Sequence, residues 1–262
     1  MRALYTASTG MAAQELNVQV ISNNIANLRT TGFKKQNVSF QDLLYEHVRR
    51  VGAQASDQGT VVPVGVDIGA GVKTVGTPRV MTQGTLSNTG NDLDLAIRGE
   101  GFFKIQMPDG TFAYTRDGSF QLDAQGRLVN AQGNPLQPTI SLPTAATGIS
   151  INSHGQVSVL LPGSTTPSTV GVIGLTRFIN KAGLQPNGDN TFTETPASGP
   201  PQEGIPNADG YGDLQQKNLE LANVESVSEI SDLIAAQRAY EMNGKVMSAA
   251  DQMLQSTAAL FR

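Results

Sequence analysis

A chain of 262 residues can bury one sizeable core or two modest ones. With 15% charged residues and a formal net charge of −4, it lacks the basic footprint of a nucleic-acid binder. Cysteine is absent, which removes disulfides, thiolate metal ligands and a Cys nucleophile together, and suits transit through an oxidising compartment.

The opening Met1-Arg2-Ala3-Leu4-Tyr5 leads into polar residues every few positions, so neither a cleavable signal peptide nor a membrane-inserted span of about 20 apolar residues is expected. Helical periodicity fills the first thirty residues instead. Leu4, Met11, Val18 and Ile25 recur every seven positions, with Ala7, Gln14, Ile21 and Leu28 between them. That is an a/d pattern over almost four heptads, interrupted only by Gln14. Gly32 follows the last periodic residue, where a left-handed residue would close the helix at a length of roughly 38 Å. Asn17, Ser22, Asn23, Asn24 and Asn27 lie inside it, although asparagine is a mediocre interior helix former. Two readings stay open: these amides are tolerated on a surface, or they face other helices and set register by hydrogen bonds.

Gly52 to Gly71 reads as a loop or, through Val61, Val62, Val64, Val66 and Ile68, as an extended arm. From about Thr60 to Thr193 the chain turns rich in Gly, Thr and Val. Leu93–Arg98, Phe102–Met107, Phe112–Arg116, Phe120–Asp123 and Arg127–Asn130 read as successive strands, with Asp109-Gly110, Asp117-Gly118 and Gln125-Gly126 as tight turns. Val157–Leu161 and Val170–Phe178 continue the antiparallel series. Pro186 to Gly212, dense in Pro, Gly and Asn, reads as a linker. Ser226 and Glu229 then have capping-box spacing. Leu233, Tyr240, Met247, Leu254 and Phe261 recur every seven residues, with Ala236, Ala250 and Thr257 between, and no proline follows Pro206. A second helix of roughly thirty residues is expected. Each seam is too narrow to bury itself, so the helices pair with each other as an antiparallel hairpin or with neighbouring molecules. The predicted class is α+β: long terminal helices pairing in coiled-coil fashion around an antiparallel β domain.

Chemistry has little foothold. His47 and His154 stand outside any metal-binding spacing, and no G-x-S-x-G elbow occurs. Gly99-Glu100-Gly101 starts like a dinucleotide fingerprint but lacks the third glycine, and strands follow it. Asp92, Asp94 and the Asn187–Asn190 run offer oxygen ligands without an EF-hand arrangement. Neither catalytic residues nor a cofactor or metal site is predicted. A secreted β domain on a helical stalk, binding sugars or surfaces, is the competing class. Aromatic residues at 5% and no Trp argue against a sugar platform.

Two stretches carry a family resemblance. Ser22-Asn23-Asn24-Ile25-Ala26-Asn27-Leu28-Arg29-Thr30-Thr31-Gly32-Phe33-Lys34 resembles the N-terminal signature of flagellar rod and hook proteins. Asn223–Val227 through Leu233-Ile234-Ala235-Ala236-Gln237-Arg238-Ala239-Tyr240-Glu241 resembles their C-terminal signature. Arg79–Gly84, Asp94–Phe103 and the Val51–Gly71 insertion are similar to distal rod members; a proximal rod homologue is the alternative within the family. The resemblance implies a hollow helical homopolymer. Residues 1–32 and 224–262 would form its inner tube, 33–71 and 209–223 the connection and arm, and 72–208 the outer β domain. It implies an assembly interface through Leu4, Met11, Val18, Ile21, Asn24, Ile25, Asn27, Leu28, Leu233, Tyr240, Met247, Leu254 and Phe261. Further partners implied are the proximal rod, the hook, the P and L rings and the flagellar type III export gate. Phe40 and Leu44 resemble the gate-recognition motif of such substrates, with plain core contacts as the alternative. The valine-rich arm would stiffen the rod.

Overall fold

The computed structural model describes residues 2–49, 51, 64–143, 145–146, 148–163 and 166–260. The chain forms two compact units: Met1–Ile25, Gln36–Pro78 and Glu225–Arg262 in the first, Ala26–Lys35 and Arg79–Val224 in the second.

The first unit holds the two long helices, α1 (Arg2–Ala26, 25 residues) and α2 (Ser226–Leu260, 35 residues). They run antiparallel, since Asn24 meets Glu229 while Gly10 lies against Asn243. Small side chains dominate where they meet. Ala7 and Ala13 are buried on α1, and Ala236 and Ala250 on α2. A Cβ on Gly10 would sit 2.9 Å from Asn243 Nδ2, so glycine is what admits that amide. α2 begins at Ser226, as the capping-box spacing predicts.

α1 does not run to Gly32. It stops at Ala26, because polar side chains offer the backbone other partners. The Asn24 amide pairs twice with the main chain of Gln36, donating to its carbonyl at 2.9 Å and accepting from its N–H at 3.0 Å. Asn27 binds the Thr30 hydroxyl at 3.1 Å, and its carbonyl accepts the Thr30 N–H at 3.1 Å, turning the chain. Gly32 does have a left-handed φ of +67°, but for another reason. A Cβ there would lie 2.6 Å from the Asp117 nitrogen.

Among the described residues, four strands complete the first unit: β1 (Ser39–Asp42), β2 (Tyr45–Arg49), β3 (Val66–Gly69) and β4 (Val72–Gly76). β1 pairs with β4 and β2 with β3, both antiparallel. The arm is therefore strand from Val66 onward, with Val64 just before it. Val61 and Val62 lie outside the described residues.

The second unit is antiparallel β. It opens with β5 (Leu86–Asn88), β6 (Leu95–Arg98), β7 (Phe103–Gln106) and β8 (Phe112–Thr115). The short β9 (Gln121–Leu122), β10 (Leu128–Val129) and β11 (Leu136–Gln137) follow. Then come β12 (Gly148–Ile151), β13 (Gln156–Leu160), β14 (Ser168–Val172) and β15 (Leu175–Arg177). The last are β16 (Gln185–Gly188), β17 (Thr191–Thr193), β18 (Gln202–Gly204), β19 (Asp213–Gln216) and β20 (Asn218–Glu220). A five-stranded sheet runs β11-β7-β8-β17-β16, and a three-stranded one β12-β13-β14. The remaining strands pair in twos, β19 with β6 and β20 with β5 among them.

Two expectations fail here. Val170–Phe178 is not one strand, because the chain changes partner at Ile173-Gly174, from β13 to β18. Pro186–Gly212 is not a plain linker, because it contributes β17, β18 and most of β16. Pro186 sits on the sheet's edge, where a missing N–H is tolerated. Asp189, Asn190, Asn207 and Asp209 take positive φ in turns that the short strands leave almost adjacent.

The main core gathers Leu95, Ile97, Phe103, Leu136, Val157 and Leu175 among others. A second cluster stacks Phe102, Tyr114, Phe178 and Phe192 edge to face, with Tyr114–Phe178 centroids 4.8 Å apart.

Candidate assembly interface

The sequence-predicted interface residues separate by position around the helix pair. Ile21 and Asn24 are buried in it. Leu4, Met11, Val18 and Ile25 on α1, and Leu233 and Met247 on α2, are half-buried. Tyr240 and Leu254 point outward, 45% and 44% exposed. Asn27 and Leu28 fall beyond the end of α1, half-buried in the other unit. Phe261 lies outside the described residues.

The Asn24 side chain joins the strand-bearing segment to both helices. Besides its two bonds to Gln36, it donates to Glu229 Oε2 at 3.1 Å, and both residues are buried. Buried amides in α1 are thus satisfied rather than merely tolerated, at least at this position. Around them opens a cleft of about 500 Å³. Gln14, Asn17, Gln36, Asn37 and Asp232 give it polar walls, and Val20, Ile21 and Phe40 apolar ones. It offers hydrogen bonds and apolar contact, with no nucleophile–base pair. Among the described residues no group of three or more His, Cys, Asp or Glu could hold a metal, and no helix is long and apolar enough to cross a membrane.

Phe40 on β1 and Leu44 beyond it do not share a core. Phe40 lines the cleft, whereas Leu44 is 89% exposed. Burial therefore gives Leu44 no structural role. On the arm, Val64, Val66 and Ile68 are all exposed. At its base the Asp42 carboxylate, hydrogen-bonded to the Tyr45 hydroxyl, pushes that phenol's pKa up.

Heptad periodicity found part of the line along which α1 meets α2, since its companion positions Ala7, Ile21, Ala236 and Ala250 are all buried. That line follows Ala7, Gly10, Ala13, Val20 and Asn24, beside the leucine–methionine–valine row rather than on it. The signal for Gly10 and Ala13 was the three-residue spacing of small residues after Ala7, which apolar scoring ignores.

Family models agree with this arrangement in chain order. "Flagella basal body rod protein" matches residues 4–34, "Flagellar hook protein FlgE/F/G D1 domain" residues 96–159, and "Flagellar basal body rod FlgEFG protein C-terminal" residues 215–260. The chain is 52% identical over 260 residues to the flagellar basal-body rod protein FlgG of Caulobacter vibrioides, covering 99% of each. It is 47% identical over 253 residues to FlgG of Agrobacterium fabrum, covering 97% of each. Against FlgF of Caulobacter vibrioides, the identity falls to 35% over 248 residues, covering 94% of this chain and 91% of that one. The end helices, the β unit and the full-length likeness converge: the chain belongs to the FlgG family of flagellar basal-body rod proteins.

Proposed function

We propose that copies of this chain form the distal rod of the flagellum, a hollow helical drive shaft that transmits torque and lets exported subunits pass along its bore. As a family member, the chain is a structural subunit of the flagellar rod. The observation carrying the polymer reading is the apolar surface left bare on α2, where Tyr240, Val246, Met253 and Leu254 all stand in solvent. Neighbouring copies of the same helix pair would cover it.

In this reading the paired helices line the bore, residues 72–208 face outward, and 33–71 with 209–223 connect them. The shaft meets the proximal rod below, the hook above, and the P and L rings around it as it spans the periplasm. No catalysis, cofactor, nucleic acid or membrane insertion enters this function. The chain leaves the cytoplasm through the type III gate without a cleaved signal peptide, and exposed Leu44, four residues after Phe40, is available to be read there. The valine-bearing arm docks strand-like on an adjacent copy and keeps the shaft straight. Electron microscopy of concentrated protein tests the whole: straight, open-ended tubes are expected. Discrete closed oligomers would overturn the reading. Deleting residues 52–71 should give tubes that curve.

A further inference from the structure

Within the β unit, three charged side chains are almost wholly buried beside one another. Lys34 is 1% exposed, Arg116 4% and Glu220 1%. The Lys34 ammonium donates to Glu220 Oε1 at 2.5 Å and to the Thr82 carbonyl at 2.8 Å. The same Oε1 accepts the Gly84 N–H at 2.9 Å. Arg116 donates to the Gly99 carbonyl at 2.6 Å and holds Nη1 3.5 Å from Glu220 Oε2. Two buried cations thus share one buried carboxylate. Desolvation lowers the pKa of both Lys34 and Arg116, outweighing what Glu220 restores.

The backbone around this cluster comes from three distant parts of the chain. Gly32 donates to the Glu220 carbonyl at 2.8 Å, and Val80 to the Lys35 carbonyl at 2.8 Å. The Asn223 amide accepts from the Lys35 N–H at 2.8 Å and donates to the Val80 carbonyl at 2.8 Å. Arg116 also reaches the apolar interior, with Nη1 3.4 Å from the Ile97 carbonyl and its guanidinium 5.6 Å from the Phe102 ring centroid.

We propose that Glu220 is a counter-ion latch: segments 32–35 and 79–84 dock in one step, and only once the C-terminal strand bringing Glu220 is in place. Without that carboxylate, closing the site would strand two cations in a low-dielectric interior, which is strongly unfavourable. Lys34 precedes nearly all of the β unit in sequence and Glu220 follows nearly all of it. The latch therefore closes on a finished unit and stays open on an unfinished one.

Native-state hydrogen exchange on the full chain tests this with Glu220→Gln, Lys34→Met and the double variant. Glu220→Gln should lower protection at Lys35 and Val80 together by about a hundredfold or more, while β7, β8 and β13 change only severalfold. Lys34→Met leaves the Arg116–Glu220 pair and should lose less than Glu220→Gln does. In the double variant, removing the stranded ammonium should recover about tenfold or more of the lost protection. An equal loss across β7, β8 and β13 would make Glu220 an ordinary core residue and overturn the latch. So would unchanged protection in Glu220→Gln, or a Lys34→Met loss as large as its own. If Glu220→Gln does not fold, the triple variant with Lys34→Met and Arg116→Met, which strands no cation, decides: a folded triple variant supports the latch, and an unfolded one overturns it.

Discussion

Replacing Leu254 and Ile21 separately with Asp divides assembly from folding. Ile21 is 5% exposed within the helix pair, and Leu254 is 44% exposed on the far part of α2. Losing a buried isoleucine removes roughly 2–3 kcal/mol of burial, and an unpaired carboxylate in its place adds several more. Ile21→Asp should therefore open the helix pair in the free chain. Leu254 already has nearly half its surface in water, so its replacement should change subunit stability by no more than about 0.5 kcal/mol. In a polymer that covers the rest, lost burial and a desolvated carboxylate together reach about 3 kcal/mol per subunit. At 1.4 kcal/mol per factor of ten, the critical concentration rises about a hundredfold. Circular dichroism on dilute protein reads the first effect, and sedimentation across a concentration series reads the second. Leu254→Asp should melt like the wild type yet stay in the supernatant where the wild type pellets. Pelleting at the wild-type concentration would refute the interface, and full helical ellipticity in Ile21→Asp would refute the assignment of Ile21 to the pair.

Three further outcomes are expected from the structure. Burial, reinforced by Glu194 and Glu203, pushes the Tyr114 phenol up to about 12. The unfolded chain ionises first, so this contribution is intact below pH 10 and lost as pH rises towards 12, by roughly 2–3 kcal/mol. Tyr114→Phe should flatten that alkaline decline in urea midpoints, and an unchanged slope would exonerate Tyr114. A Cβ on Gly118 would lie 1.7 Å from the Leu95 carbonyl oxygen, which is backbone and cannot swing aside. Gly118→Ala should destabilise the β unit by about 3 kcal/mol, read as a lowered denaturation midpoint; a midpoint within error of wild type contradicts the close approach. Asn24→Ala should cost about 1–3 kcal/mol, and Asn24→Asp more, because it sets a second carboxylate against Glu229. The reverse order in unfolding free energies would rule out that contact.

The strands around Asp109-Gly110 and Gln125-Gly126 were legible because each pairs a tight-turn glycine, at positive φ, with flanking apolar alternation. Asp117-Gly118 is not such a turn, since Gly118 lacks a positive φ and β8 pairs with β7 and β17 rather than with β9. The register of the β unit was not legible. Most of it is held by strands of two to four residues, too short for periodicity to show. Pro186–Gly212 misled because turn-forming residues outnumber the strand residues between them. The start of α2 could be read from Ser226 and Glu229, whereas the end of α1 could not. Whether Asn24 and Asn27 continue a helix or divert the backbone depends on Gln36 and Thr30, and for Asn24 that partner is twelve residues away. The site was half-visible for a similar reason. Heptad counting placed Ala7, Ile21, Ala236 and Ala250 on the seam but passed over Gly10 and Ala13, whose contribution to the close approach of two helices is to be small.

The helices also differ in length, 25 residues against 35. Since Gly10 faces Asn243 in an antiparallel pair, α1 has run out at about the level of Asp251. Past that level α2 continues with every side chain described from Asp251 to Ala259 exposed, an overhang of about 13 Å at 1.5 Å per residue beyond the described end of α1. A helix of two to three turns with nothing alongside it frays in water, because nucleation is costly and few bonds remain to offset it. Met253, 63% exposed, and Leu254 sit on that overhang. The end of α2 is therefore expected to take its order from its surroundings, fraying in a dilute subunit and setting when something is laid along it.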